Sequence, residues 1–150
     1  MDKKQRVICP RCGARLLMDT SGNGPKGKKE CPKCHYQDYP ESFPVVTGRL
    51  RLEEGGDTFY LKKGENVLGR DATSGTADIK LSTDEYMSRR HAIIEALPLP
   101  GGDYEHRLKE AGSLNALLLN GKEVGRGETL ALQPGDRLTL GRTTVTFERL

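Results

Sequence analysis

All four cysteines of the 150-residue chain lie near its N-terminus, in two Cys-x-x-Cys pairs. Cys9 pairs with Cys12 and Cys31 pairs with Cys34, and 18 residues separate the two pairs. Four thiolates at this spacing form a tetrahedral sulfur site, and the short turn inside each pair directs backbone N–H groups at the sulfurs. The pattern predicts one structural zinc ion, because a short segment with few apolar residues does not fold without such a site.

Other uses of the same cysteines are less well supported. Two disulfides would require an oxidising compartment, of which the composition shows no sign. A rubredoxin-like iron centre usually has a richer aromatic surrounding, and thioredoxin-like chemistry needs one motif at a helix start. His35 follows the last cysteine and is an alternative ligand. We expect it at the surface, because four thiolates already complete the site.

A second set of residues has the chemistry to hold a phosphate group on a peptide. Arg70, Ser88, Arg89 and Asn115 each stand beside the end of a predicted strand. A phosphate carries about 1.5 to 2 negative charges and three strong acceptor oxygens. A guanidinium supplies paired donors, a hydroxyl supplies one more, and a side-chain amide bonds the backbone of the peptide. Loops that bring these groups together would form a phosphopeptide site.

The elements that must position these residues are short strands. From residue 45 onward, short runs of strand-forming residues are separated by turn pairs such as Asn120-Gly121 and Gly135-Asp136. No stretch keeps a helical period, so the region is predicted to be an all-β sandwich. Residues 1–36 resemble a zinc ribbon and are predicted to form one, and the proline-bearing residues 37–44 are predicted to be a stiff linker.

Charge is divided unevenly between these regions. Residues 1–35 contain 9 Lys/Arg and 3 Asp/Glu, whereas residues 36–150 contain 15 and 18. A basic patch on a small module is compatible with a nucleic-acid or an acidic partner, but almost no aromatic residue precedes Tyr36 to stack on bases, so a solvated basic loop is the favoured interpretation. No apolar run is long enough to span a membrane and no signal peptide is visible. We therefore expect a cytoplasmic protein without a membrane partner.

Several short motifs occur in the order of a known family: Leu68-Gly69-Arg70, Ser88-Arg89-Arg90-His91, Ser113-Leu114-Asn115, Asn120-Gly121 and Gly135-Asp136. On these motifs, residues 45–150 resemble a forkhead-associated (FHA) domain, a sandwich of about eleven strands that binds phosphothreonine peptides. The resemblance implies that Arg70 and Ser88 contact the phosphate, that Arg89 supplements them, and that Asn115 bonds the peptide backbone. It also implies structural support by these residues: Gly69, His91, Asn120 and Gly121.

The chain departs from the family pattern beside the asparagine. Leu114 stands where many members have threonine, and Ala116 and Leu117 replace a Gly-Thr pair. The main hypothesis is an adaptor that docks on phosphothreonine written by a Ser/Thr kinase, with Thr20 and Thr47 as candidate phosphorylation sites of its own. The alternatives are a phosphate-independent interaction or self-association module, and a nucleic-acid contact by the ribbon.

Catalysis is not expected. Ser88 and His91 have no carboxylate partner or nucleophile turn in the sequence, and no phosphate-binding Gly-Lys-Ser/Thr loop is present.

Overall fold

The computed structural model describes residues 4–12, 14–19, 28–39, 42–43, 45–72, 77–101 and 103–149. The chain divides into two compact units, Met1–Val46 and Thr47–Leu150. The regular elements of the described ranges are strands, so the predicted all-β class is confirmed. No helix in these ranges is long and apolar enough to cross a membrane.

In its described residues, the first unit contains two small hairpins. β1 (Lys4–Ile8) pairs with β2 (Arg15–Asp19), and β3 (Lys29–Glu30) pairs with β4 (Gln37–Asp38), both antiparallel. Each hairpin turn carries one cysteine pair. Each turn has an equivalent backbone hydrogen bond of 2.9 Å, which runs from the N–H of its first cysteine to the carbonyl oxygen five residues later. The sequence repeat of the cysteine pairs is therefore also a repeat of local structure.

The predicted linker over residues 37–44 differs from the structure. Gln37 and Asp38 pair as β4, and Phe43 is buried in the apolar cluster of the first unit. The Phe43 ring packs edge-to-face on Tyr36 with 5.7 Å between ring centroids. An aromatic side chain contributes a large apolar area, which a unit this small needs for its core. Residues 40, 41 and 44 lie outside the described ranges.

The second unit is a sandwich of two sheets. In the described ranges, one sheet has five strands in the order β13-β10-β9-β7-β8, and the other has six in the order β12-β11-β14-β15-β5-β6. Their bounds are β5 Val46–Leu52, β6 Thr58–Lys62, β7 Gly64–Arg70, β8 Ile79–Ser82, β9 Ala92–Pro98, β10 Tyr104–Glu110, β11 Leu117–Leu119, β12 Lys122–Glu123, β13 Thr129–Ala131, β14 Arg137–Leu140 and β15 Thr143–Glu148.

Side-chain alternation builds the core between the sheets. Along β14, Leu138 and Leu140 are fully buried while Arg137 is exposed, and along β9 Ala92, Ile94 and Ala96 are buried. Successive side chains of a strand point to opposite faces, so this period of two directs one apolar face of each sheet inward. Because the inward faces of the strands are apolar, clusters of polar residues lie on the loops at the strand ends.

Two features of the sandwich have no counterpart in the sequence prediction. β12 is only two residues long, and β7 pairs with β8 in parallel.

The two candidate phosphorylation sites differ in what the structure shows of them. Thr47 is buried, with its Oγ1 2.9 Å from Nε2 of His106, which argues against its phosphorylation in the folded chain. Thr20 lies outside the described ranges.

Candidate functional site

Arg70 is positioned by the end of β7, where the strand changes register. The pairing of β7 with β8 shifts between Gly69 and Arg70. An irregularity of this kind bends a strand and redirects the side chain that follows it. The Arg70 N–H also donates to the carbonyl oxygen of Ser88 at 3.0 Å. Arg70 is thereby attached to the loop that carries Ser88.

Gly69 allows that loop to approach β7 closely. A Cβ atom at Gly69 would lie 1.8 Å from the carbonyl oxygen of Arg89 and 3.1 Å from that of Ser88. Both neighbours are backbone atoms, so they cannot rotate away as a side chain could. The residue before Arg70 must therefore be glycine if the loop is to hold its observed position.

His91 holds the same loop from inside the sandwich. Its side chain is fully buried, Nδ1 accepts a hydrogen bond from the Ser88 N–H at 3.0 Å, and Nε2 lies 3.3 Å from the carbonyl oxygen of Ala116. Nδ1 is an acceptor, so the ring proton resides on Nε2, which donates to Ala116. Burial lowers the pKa of His91, and the imidazole is therefore neutral at pH 7.

The loop between β10 and β11 closes the other side of the site. The Leu114 N–H donates to Oγ of Ser88 at 3.1 Å, and Nδ2 of Asn115 donates to the Tyr86 carbonyl oxygen at 2.8 Å. Within the loop, Oγ of Ser113 donates to the Asn115 carbonyl oxygen at 2.7 Å. These bonds fix the loop against residues 86–88, and within the described ranges the Asn115 Oδ1 and its second N–H have no partner.

Arg70, Ser88, Arg89 and Asn115 line one open cleft of about 270 Å³. The structure thus brings together all four residues that the sequence analysis assigned to a phosphopeptide. The other lining residues are Glu85, Tyr86, Met87 and Leu114. The Leu114 side chain is 97% exposed and so does not fill the cleft.

The cleft has unused hydrogen-bond donors and a positive charge excess. Among the described residues, neither the Arg70 nor the Arg89 guanidinium has a hydrogen-bond or ion-pair partner. The Ser88 hydroxyl accepts one bond and keeps its proton to donate. Two arginines and Glu85 leave one net positive charge, so the arrangement suits an anion with several acceptor oxygens.

The four cysteines also lie together. All four sulfurs are within 4.8 Å of one another, and the Cys9–Cys34 and Cys12–Cys31 sulfurs are each 3.6 Å apart. A tetrahedral ion with metal–sulfur bonds of about 2.3 Å places its sulfurs about 3.8 Å apart. A disulfide bond is much shorter, about 2 Å. The donor set and its spacing therefore fit a single thiolate-bound metal ion.

Backbone groups prepare these sulfurs for a metal. Burial disfavours a Cys9 thiolate, but the N–H groups of Cys12 and Arg11 outweigh it and lower the pKa of Cys9 to about 7. The Cys34 N–H lowers the pKa of Cys31 in the same way, against the effect of burial. Thiolates are the metal-binding form, so the surroundings of Cys9 and Cys31 favour ligation. The Tyr36 backbone N–H lowers the pKa of Cys34, but burial and the neighbouring thiols raise it to about 12.

His35 takes no part in the sulfur cluster. It has a φ of 62°, and its ring is exposed beside Glu30. In sequence, this position after the second cysteine of a pair corresponds to Gly13, which lies outside the described ranges.

Comparisons with known proteins agree with this geometry. A family model described as the FHA domain matches residues 66–141, about half of the chain. The chain belongs to the FHA family. That match includes every residue that the sequence analysis assigned to the cleft or to its support. A search of curated proteins gives no significant match.

Solved FHA domains are similar to the sandwich. A domain studied for phosphothreonine-dependent FHA interactions is 28% identical, with a TM-score of 0.56, covering 70% of this chain and 98% of that one. The FhaA FHA domain, solved in complex with the intracellular domain of Rv3910, is 27% identical, with a TM-score of 0.55 and coverage of 68% and 100%. The FHA domain of CT664 from Chlamydia trachomatis is 26% identical, with a TM-score of 0.56 and coverage of 69% and 97%.

The FHA domain also contains a larger cleft, of about 390 Å³, lined by residues that include Glu53, Glu54, Asp84 and Arg142. Its carboxylates make it a poor place for a phosphate. The Asp84 carboxylate is occupied, since it accepts bonds from the Tyr86 and Arg142 N–H groups at 2.9 and 2.7 Å. Partial burial opposes ionisation, but these bonds lower the pKa of Asp84. We therefore assign the site to the smaller cleft.

The support behind Tyr86 was not predicted from the sequence. The Arg142 guanidinium lies 3.9 Å from the centre of the Tyr86 ring, and a Cβ at Gly141 would lie 2.5 Å from the Tyr86 backbone. The only local signal was Asp84, since an aspartate that bonds the N–H two residues later is a common turn former. Nothing in the sequence indicated that Arg142 would reach Tyr86.

Asn120 and Gly121 stabilise the FHA domain away from the cleft. Both have positive φ, 52° and 83°, as a type I′ turn between β11 and β12 requires. The Asn120 Oδ1 accepts from the Arg137 N–H at 2.9 Å, and its Nδ2 donates to Asp136 at 3.0 Å. Neither residue lines the cleft, so their influence on it acts through β11, which follows the Asn115 loop.

Proposed function

We propose that this chain is an adaptor whose FHA domain binds phosphothreonine-containing peptides in the Arg70 cleft. The observation that carries the proposal is the convergence of Arg70, Ser88, Arg89 and Asn115 on one cleft, with both guanidinium groups free among the described residues. The similar domain at 28% identity, studied for phosphothreonine-dependent interactions, supports the same ligand class.

Each side chain has a distinct role in this proposal. Arg70 and Arg89 supply charge-assisted hydrogen bonds to the phosphate, and the Ser88 hydroxyl donates one more. Asn115 uses its Oδ1 and second N–H for the peptide backbone, while its first N–H stays on Tyr86. Such a ligand exists only after a Ser/Thr kinase has acted, so the adaptor depends on kinase activity in the same cell.

Peptide titration tests the proposal. A degenerate phosphothreonine library is titrated into the full chain and then repeated after phosphatase treatment. Arg70→Ala should lower the affinity at least about tenfold, because a hydrogen bond to a charged group contributes about 1.5 to 3 kcal/mol.

Arg107→Ala is the matched control. It removes the same charge from an exposed position that does not line the cleft. Equal losses in the two variants would show general charge attraction. Binding that survives the phosphatase would favour the phosphate-independent alternative.

We propose, in addition, that Cys9, Cys12, Cys31 and Cys34 hold one structural zinc ion. The cluster has four sulfur donors and no other metal-ligating group among the described residues, which is the set of a closed structural site. An open catalytic site would keep a position for water. The ion would hold the two hairpin turns together.

A further inference from the structure

The apolar side chain of Leu114 is exposed to solvent at the edge of the phosphate cleft. It is 97% exposed, the largest exposure among the large apolar residues of the described ranges. A single exposed leucine is common on protein surfaces, so exposure alone decides nothing. The residues around Leu114, however, indicate a role in ligand binding.

The backbone of Leu114 is rigidly placed. Its N–H is bonded to Oγ of Ser88, the next residue Asn115 is bonded to Tyr86, and the preceding Ser113 is bonded to the carbonyl oxygen of Asn115. Three bonds thus fix a short loop whose central side chain contacts no core. Because ordering of the loop is complete before any ligand arrives, covering Leu114 would cost little conformational entropy.

Leu114 also stands between two clefts. It lines the cleft of Arg70 and Ser88, and it lines a second cleft of about 210 Å³ that includes Glu110, Val124 and Arg126. A peptide held by its phosphate in the first cleft and extending towards the second must pass over the Leu114 side chain. Tyr86, 46% exposed, offers a second apolar surface in the first cleft.

We propose that Leu114 selects phosphopeptides that carry an aliphatic side chain close to the phosphothreonine, a preference that rests on the proposed function of the cleft. The aliphatic side chain packs on Leu114 while the phosphate is held by Arg70 and Ser88. Burial of part of a leucine side chain tightens binding about tenfold. Leu114 is then a specificity residue, and the phosphate contacts remain with the residues already assigned.

A positional scan tests the inference. Alanine-based phosphothreonine peptides, each with one leucine at a different position, are titrated into the full chain and into Leu114→Ser. The wild-type chain should bind one of these peptides about tenfold more tightly than the leucine-free peptide. Leu114→Ser should bind the two alike. The leucine-free peptide is titrated into both chains, so the preference is read as the ratio of two affinities within each chain, independently of any change in phosphate capture.

Leu99→Ser is the matched control, because Leu99 is an exposed leucine of the same unit that lines neither cleft. It should keep the wild-type preference. The inference is overturned if Leu114→Ser keeps the preference, or if the wild-type chain shows none. It is also overturned if Leu114→Ser changes the oligomeric state measured by sedimentation, since the occupant would then be a second copy. Failure of every peptide to bind would instead overturn the proposed function.

Discussion

The two ring nitrogens of His91 can be removed one at a time, because asparagine and glutamine each retain one of them. Asparagine places an acceptor at the Nδ1 position, where the Ser88 N–H is bonded at 3.0 Å. Glutamine places a donor at the Nε2 position, 3.3 Å from the Ala116 carbonyl oxygen. The two variants therefore separate the contact to the phosphate loop from the contact to the neighbouring loop.

The consequences differ because the two partners differ in exposure. Ser88 is half-buried, so in His91→Gln its N–H reaches water only when the phosphate loop moves, and returning the loop to its binding position costs about 1 to 3 kcal/mol of binding free energy. Ala116 is exposed, so its carbonyl oxygen in His91→Asn can bond water instead. We expect His91→Gln to weaken phosphopeptide binding about tenfold and His91→Asn to weaken it less than about threefold.

Stability should follow the opposite order. Asparagine is the smaller side chain and leaves the larger cavity at a fully buried position, so His91→Asn should unfold at the lower urea concentration. Binding is measured by calorimetry, and the amide exchange rate of Ser88 by NMR. If the two variants lose affinity equally, or if affinity simply follows stability, the role of the Ser88–His91 bond in the site is refuted.

Further predictions concern the glycine, the cleft charge, the buried histidine and the metal. Gly69→Ala should cost about 2 kcal/mol in thermal unfolding and abolish phosphopeptide binding, because its Cβ displaces the Arg89 backbone; unchanged binding would contradict this. Glu85→Gln should raise phosphopeptide affinity about two- to fivefold in calorimetry, and a loss would show that Glu85 contacts the peptide. Burial lowers the pKa of His106 from 6.5 to about 4. The neutral ring therefore contributes about 3 kcal/mol to the free energy of unfolding, a contribution that is complete above pH 6.5 and lost as the pH falls through 4. NMR titration of the ring checks the pKa, and the urea unfolding of His106→Gln should depend less on pH. Removal of the metal by a chelator, or Cys31→Ser, should collapse the NMR signals of the first unit, with native mass spectrometry showing one ion per wild-type chain.

Local chemistry explains why much of the fold was predictable. Alternation in Arg137-Leu138-Thr139-Leu140 predicts a strand with one buried face, and the structure has that strand as β14. Asn120-Gly121 predicts a turn with two positive φ angles, which both residues have. The spacing of the cysteine pairs predicts four sulfurs around one point, and the sulfurs are within 4.8 Å of one another.

The boundary between the two units was less predictable, because it depends on packing. Two prolines between residues 40 and 44 indicate a linker by composition. Phe43 nevertheless packs on Tyr36 in the first unit, and the boundary between the units falls after Val46. Which side chains join a small core depends on the apolar area that each can bury in the folded unit, and no local sequence pattern shows that area.

The sequence by itself determined the residue types of the cleft, the strands that precede and follow its loops, and the order in which they occur. Only the tertiary structure decided that these groups converge. The bond from Leu114 to Ser88 joins residues 26 apart, and that from Asn115 to Tyr86 joins residues 29 apart. Bonds between the backbone of one loop and a side chain of another depend on how two sheets pack, and this packing is set by the whole core rather than by any short segment.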